Sequence, residues 1–182
     1  MADRNPVERL HPVNRWAWPA TLAVTTLSGT VLMACLMPFV AVATLAAASM
    51  RNREALYAVV LCWLGNQALG FGVLGYPRDA MTVAAGISLL VASLAVLAVA
   101  RHVVRGLEPG RLAIAAIAGF ATFEVLLAAY AALRGDMSMF TADIVALVGL
   151  SELVWFGLLT GLLAILTRAT PRWFAPDLAG LN

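Results

Sequence analysis

Charged positions in this chain are gathered between long apolar stretches instead of being spread along it. Trp16 to Met50, between Arg15 and Arg51, is a run of thirty-five residues without a charged side chain. Apolar stretches of about 20 residues then follow at 55–77, 80–100, 112–133 and 143–167. Glu124 is the only charge inside the third of these, and Glu152 the only one within the last beyond its first residue, Asp143. A helix needs about 20 apolar residues to cross a bilayer core, so the pattern predicts an all-α, polytopic integral membrane helical bundle. Polar breaks at Arg78-Asp79, at 106–110 with Glu108 and Pro109, and at Arg134-Gly135-Asp136 read as the connections.

The first run is long for one crossing and short for two. Thirty-five helical residues reach about 52 Å at 1.5 Å each, whereas two passes through a core about 30 Å thick need more. Arginine placement decides between the layouts, because cytoplasmic loops are enriched in Lys and Arg. A single crossing, giving five transmembrane helices, leaves seven arginines inside and five outside. A run that turns back adds Arg4, Arg9 and Arg15 to the cytoplasmic set, with only Arg78 and Arg134 outside. The second layout is preferred: six hydrophobic segments, a short or partly re-entrant first pair, and both termini cytoplasmic. Pro38 suits the start of the returning helix, since its missing N–H costs nothing in a first turn. The alternative is one long helix kinked at Pro38. The domain reading is a tail at 1–15, one transmembrane domain at 16–168, and an interfacial tail at 169–182.

Composition supports the class and removes others. The chain is 62% hydrophobic and 12% charged, against about a quarter charged in soluble domains. All its cations are arginine, and a net charge of +2 without a basic stripe argues against nucleic acid. Cys35 and Cys62 lack CxxC spacing, so they read as buried thiols rather than a disulfide or metal pair. His11 and His102 lie in connecting segments, which removes a bis-histidine haem. Asp3 and Glu8 interrupt the leader, and the following apolar run exceeds the usual h-region of about 7–15 residues; the N-terminus is expected to be retained. Trp16, Trp18 and Trp173 fit interfacial anchors, with Pro171-Arg172-Trp173-Phe174 along the cytoplasmic surface.

Polar groups inside the apolar runs are the candidate chemistry. Glu124 and Glu152 should lie near mid-depth, where a carboxylate must be paired, hydrated or protonated. Trp63 and Gln67 share a helical face with Gly70, and Asn66 adjoins them. Trp155 faces the same way as Glu152, while Tyr130 and Asp143 lie toward the outer end. Trp63, Asn66, Gln67, Glu124, Tyr130, Asp143, Glu152 and Trp155 therefore form the expected substrate-binding set. Indoles would cover an apolar face of a small molecule while amides and carboxylates meet its heteroatoms. The competing reading is that these groups bond to one another as interhelical glue. No metal site, cofactor or catalytic motif is expected: there is no HExxH and no Ser–His pairing within helices.

Gly70-Phe71-Gly72-Val73-Leu74-Gly75 matches G-x-G-x-x-G by letter, but it ends an apolar run and lacks the strand that a dinucleotide fingerprint follows. Close packing or a helix end explains it better. Gly157 and Gly161, like Ala128 and Ala132, have small-xxx-small spacing and are expected to pack within the monomer. Ala41, Ala43, Ala46, Ala47 and Ala48 form a smooth face that could meet another protein.

The order Met37-Pro38-Phe39, Arg51-Asn52-Arg53, Trp63 and Gly75-Tyr76-Pro77, with the close at 162–174 containing Pro171-Arg172, resembles the substrate-binding S components of energy-coupling factor transporters. The connection within the first pair is shorter than in that family. The resemblance implies a vitamin or micronutrient bound near the outer face of a bacterial cytoplasmic (inner) membrane protein. It also implies a shared transmembrane coupling subunit, docked on alanine-rich surfaces of the first two segments and driven by ATPases. The alternative function is a structural or assembly subunit of a larger membrane complex without its own ligand.

Overall fold

The structure is a computed structural model that describes residues 12–32, 37–104 and 107–169. The leader with Asp3, Arg4, Glu8, Arg9 and His11, the closing tail with Arg172 and Trp173, and Cys35, Arg105 and Gly106 lie outside the described residues. Six helices follow in order: α1 Pro12–Leu32, α2 Phe39–Ser49, α3 Asn52–Gly72, α4 Ala80–Val103, α5 Pro109–Arg134 and α6 Ala142–Ala169. Helices α3 to α6 are each long and apolar enough to cross a membrane, and α2 is a shorter apolar helix. The chain is a multi-pass helical membrane protein.

Local chemistry accounts for the helix ends. Asp79 precedes α4 and its carboxylate accepts the Thr82 N–H at 2.7 Å, satisfying a first-turn donor. Pro109 occupies the first turn of α5, where its lack of an N–H is harmless. That helix stops at Gly135, whose φ of 71° is the left-handed conformation glycine adopts without strain. Helix α3 ends at Gly72, before the Tyr76-Pro77 stop read from the sequence. There the Leu74 and Tyr76 N–H groups return to the carbonyls of Leu69 and Gly70, both at 2.9 Å. The Tyr76 ring folds over Gly70, where a Cβ would come within 2.7 Å of it. The G-x-G-x-x-G string is thus a helix C-terminus.

The first apolar run does fold back. Pro38 stands at the N-cap of α2, and the Trp18 indole N–H near the start of α1 donates to Ser49 Oγ at the end of α2, at 2.9 Å. The start of α1 and the finish of α2 therefore lie at one level. Helix α2 has 11 residues, about 16 Å of rise, so it covers only about half of a bilayer core.

Helix α2 is the centre of the bundle. Every residue from Phe39 to Ala48 is buried, with α3, α4, α5 and α6 packed around it. Lipid is as apolar as leucine, so helices in a bilayer associate through close contact rather than hydrophobic expulsion. The alanines of α2 and Gly119 of α5 allow that contact: a Cβ at Gly119 would lie 2.9 Å from Val96 Cγ1 on α4 and 3.5 Å from Thr44 Oγ1 and Val40 Cγ1 on α2. Helix α1 lies against α3. Its buried Trp18, Leu22 and Thr26 recur every fourth residue, and Thr26 Oγ1 approaches Cys62 Sγ at 3.6 Å.

Three local expectations are corrected. The smooth face of Ala41, Ala43, Ala46, Ala47 and Ala48 is buried inside the bundle, where it lets four helices approach one another, and is not open to a partner. Gly157 and Gly161 do not pack within the monomer; both are exposed, with nothing within 4 Å of a Cβ built on either. Trp18 is buried and tied to Ser49 rather than anchored at the interface, whereas Trp16 is exposed and stacks at a tilt on Tyr57, with centroids 5.5 Å apart.

Burial divides the bundle across its length. On α5 the last buried residue is Phe123, and none is buried from Glu124 through the connection to Ser151; the first on α6 is Glu152. Between Trp63 on α3 and Val91 on α4, only Gly70 and Gly86 are buried. The half that holds α2, with Arg51, Arg53, Arg101, Arg111 and Arg168 at its margin, is closed. The half toward Arg78 and Arg134, where no central helix runs, is open.

Candidate functional site

The boundary between the closed and open halves is set by the N-terminus of α2. A helix start leaves N–H groups without intrahelical partners, and buried ones need an acceptor from elsewhere in the protein. Each of the first four has an acceptor. Phe39 N–H meets Met37 O at 2.9 Å, and Val42 N–H meets Pro38 O at 3.0 Å. The Val40 and Ala41 N–H groups donate to Glu152, to Oε1 at 3.1 Å and Oε2 at 2.9 Å respectively. One carboxylate on α6 therefore spans two donors on α2.

The opposite end of α2 has the complementary arrangement. Met50, its C-cap, offers its carbonyl to Arg101 Nη2 of α4 at 2.6 Å. The partial positive charge of a helix start favours an anion and the negative charge of its finish favours a cation. Glu152 and Arg101 answer both. Phe39 stacks on Phe123 of α5, centroids 6.3 Å apart, beside the carboxylate end.

The eight residues singled out from the sequence fall into separate groups. Glu152 is 7% exposed and Trp155 5%, both on the face of α6 that carries Leu159 and Leu163. Glu124 on α5 is half-buried and near enough to Glu152 for their charges to interact. On the other side, Trp63 Nε1 donates to the Gly86 carbonyl of α4 at 2.7 Å. Gln67 lies over the same glycine, and a Cβ there would collide with its Oε1. These two join α3 to α4. Asn66 and Tyr130 are half-buried in the open half, and Asp143 is exposed in the first turn of α6. Tyr130 and Asp143 are not brought to the carboxylate pair by any described contact.

Buried polar atoms without a hydrogen-bond partner among the described residues include Trp155 Nε1 and Thr44 Oγ1. Thr44 lies on α2 itself and Trp155 on the buried face of α6. No group of His, Cys, Asp or Glu capable of holding a metal ion occurs among the described residues.

Sequence reading missed Gly86, Arg101 and the α2 amides. Arg101 counted only toward topology, and Gly86 was one small residue in an apolar run. The amides carry no sequence signal of their own beyond Pro38, which marks where a helix begins. No protein-family model, curated protein or solved structure matches the chain.

Proposed function

We propose that this protein is a non-enzymatic binding subunit of a transporter, holding a small polar molecule of the vitamin or micronutrient class in the open half of its bundle. The observation that carries the reading is the loss of burial beyond Glu124 and Glu152, directly above the start of a central half-length helix. Below that level the helices pack closely on α2, and beyond it they carry almost no buried side chains. Asn66 and Glu124 are half-buried polar groups on those helices and are not consumed by a described interhelical hydrogen bond. They are the groups best suited to meet a ligand's heteroatoms. Arginines gather at the closed end, which the positive-inside rule assigns to the cytoplasm, so the open half faces outward. The likeness to S components in the order of segments points the same way and adds a coupling subunit with ATPases as partners. The buried alanines of α2 remove one docking surface from that picture.

The test is native mass spectrometry of the purified protein against a panel of vitamins. Stoichiometric binding of one of them, reduced at least about tenfold by Asn66→Ala or Glu124→Gln, supports the reading. Absence of binding across the panel counts against it.

A second reading, a structural or assembly subunit, draws on a separate observation: Trp63, Gln67 and Glu152 are occupied in joining helices. In that case Asn66→Ala and Glu124→Gln leave function intact, and the protein co-purifies with a larger complex rather than with a small molecule.

A further inference from the structure

The bonds between Glu152 and α2 depend on the carboxyl group's charge. Both oxygens accept a backbone N–H, at 3.1 and 2.9 Å. An ionised carboxylate accepts at both oxygens, but a carboxylic acid turns one of them into an O–H donor. Adding a proton therefore weakens one of the two bonds and leaves a buried amide short of its acceptor.

Few titratable or charged groups among the described residues surround that carboxyl. Helix α2 contributes no titratable side chain, only its amides. Helix α5 contributes the half-buried Glu124, a second carboxyl near Glu152. On the other helices packed around α2, Cys62 of α3 is engaged with Thr26 of α1, and Arg101 of α4 is at the far end on Met50. Among the described residues no cation pairs with Glu152. Among the described residues, an ionised Glu152 is thus held by the amides of a helix terminus and by no cation.

The two carboxylates also stand at the boundary of burial. Phe123 is the last buried residue of α5 and Glu124 the first beyond it, while Glu152 is the first buried residue of α6.

We propose that Glu152 is a proton-binding site whose occupation releases the N-terminus of α2, the floor of the open half, while Arg101 holds the other end of that helix in place. The floor becomes a proton-gated plug, closed when Glu152 is ionised. The step is a simple proton transfer from water to a carboxylate oxygen. It goes beyond the ligand-binding reading and needs no ligand to be tested.

The experiment is hydrogen–deuterium exchange of the full chain in lipid nanodiscs, followed from mildly alkaline to mildly acidic pH and corrected for intrinsic exchange. Protection of the Val40 and Ala41 amides is expected to fall about tenfold or more as pH drops, while Ala46 to Ser49 remain protected. In Glu124→Gln, which leaves the α2 bonds in place, the pH-dependent loss is expected to persist, because Glu152 alone accepts from the Val40 and Ala41 amides. Glu152→Gln, whose amide nitrogen cannot accept, is expected to show weak protection at every pH. Uniform protection of Val40 and Ala41 across the range would overturn the proposal. So would disappearance of the pH dependence in Glu124→Gln, or loss of protection along the whole of α2 at once.

Discussion

Glu152 and Arg101 grip opposite ends of one buried half-length helix: the carboxylate takes the Val40 and Ala41 amides, and the guanidinium takes the Met50 carbonyl. The two side chains come from different helices, α6 and α4, and never meet. Their charges match the two poles of α2, so each offsets backbone groups that its own helix could not satisfy.

Removing the guanidinium should therefore loosen the closed end of the bundle. Arg101→Gln is expected to destabilise the protein by about 1–2 kcal/mol, the scale of a charge-assisted hydrogen bond together with its dipole interaction. Denaturant unfolding in mixed micelles measures this. Exchange should increase at Ala48 to Met50 and not at Val40.

Gly86 is where α3 and α4 approach across Gln67. Gly86→Ala puts a methyl group against the terminal amide of Gln67, the far end of a flexible side chain that can turn aside, so the expected cost is about 1 kcal/mol or less. Combining it with Gln67→Ala should recover most of the loss, since the colliding atoms are gone. A double-mutant cycle on unfolding midpoints gives the coupling. Simple additivity would place the two side chains apart.

The Trp18–Ser49 hydrogen bond records the folding back of the first run. Trp18→Phe keeps an aromatic ring but loses the N–H donor and part of the buried indole, for an expected cost of about 1–3 kcal/mol. Ser49→Ala should add little on top of it. Independent costs for the two substitutions would contradict the hairpin.

Asp79 gives the connection between α3 and α4 a pH dependence. Its bond from the Thr82 N–H, with a smaller pull from Arg134, holds its carboxyl below the ordinary value of 3.8. A carboxyl whose folded pKa is depressed contributes stability that is complete above the unfolded value and disappears as pH falls through the folded one. The cap on α4 should thus be intact at neutral pH and fail only in acid, below that ordinary value. Asp79→Ser keeps a capping oxygen without a titrating group, so this contribution to acid sensitivity should vanish in thermal melts taken against pH.

The apolar runs determined the class and most of the connections, because hydrocarbon accepts only backbone that satisfies itself; the count of six segments needed arginine placement as well. Pro38 also marked the turn of the first run correctly, since a residue without an N–H has a natural place at a helix start. Glu152 was conspicuous for a similar reason: a lone charge in an apolar run has to find a partner.

Which partner it finds was decided by the tertiary structure. The acceptors of Glu152 and Arg101 are backbone groups, and every residue has those, so no letter in the sequence distinguishes the amides of Val40 and Ala41 or the carbonyl of Met50. The same limit governed the small residues. Alanines on α2 and glycines on α6 have similar spacing, yet one set is sealed at the centre and the other is exposed at the edge. Spacing fixes which residues share a face. Only the arrangement of neighbouring helices, around a central helix too short to fill the bundle, settles what each face meets and leaves one half of the protein open.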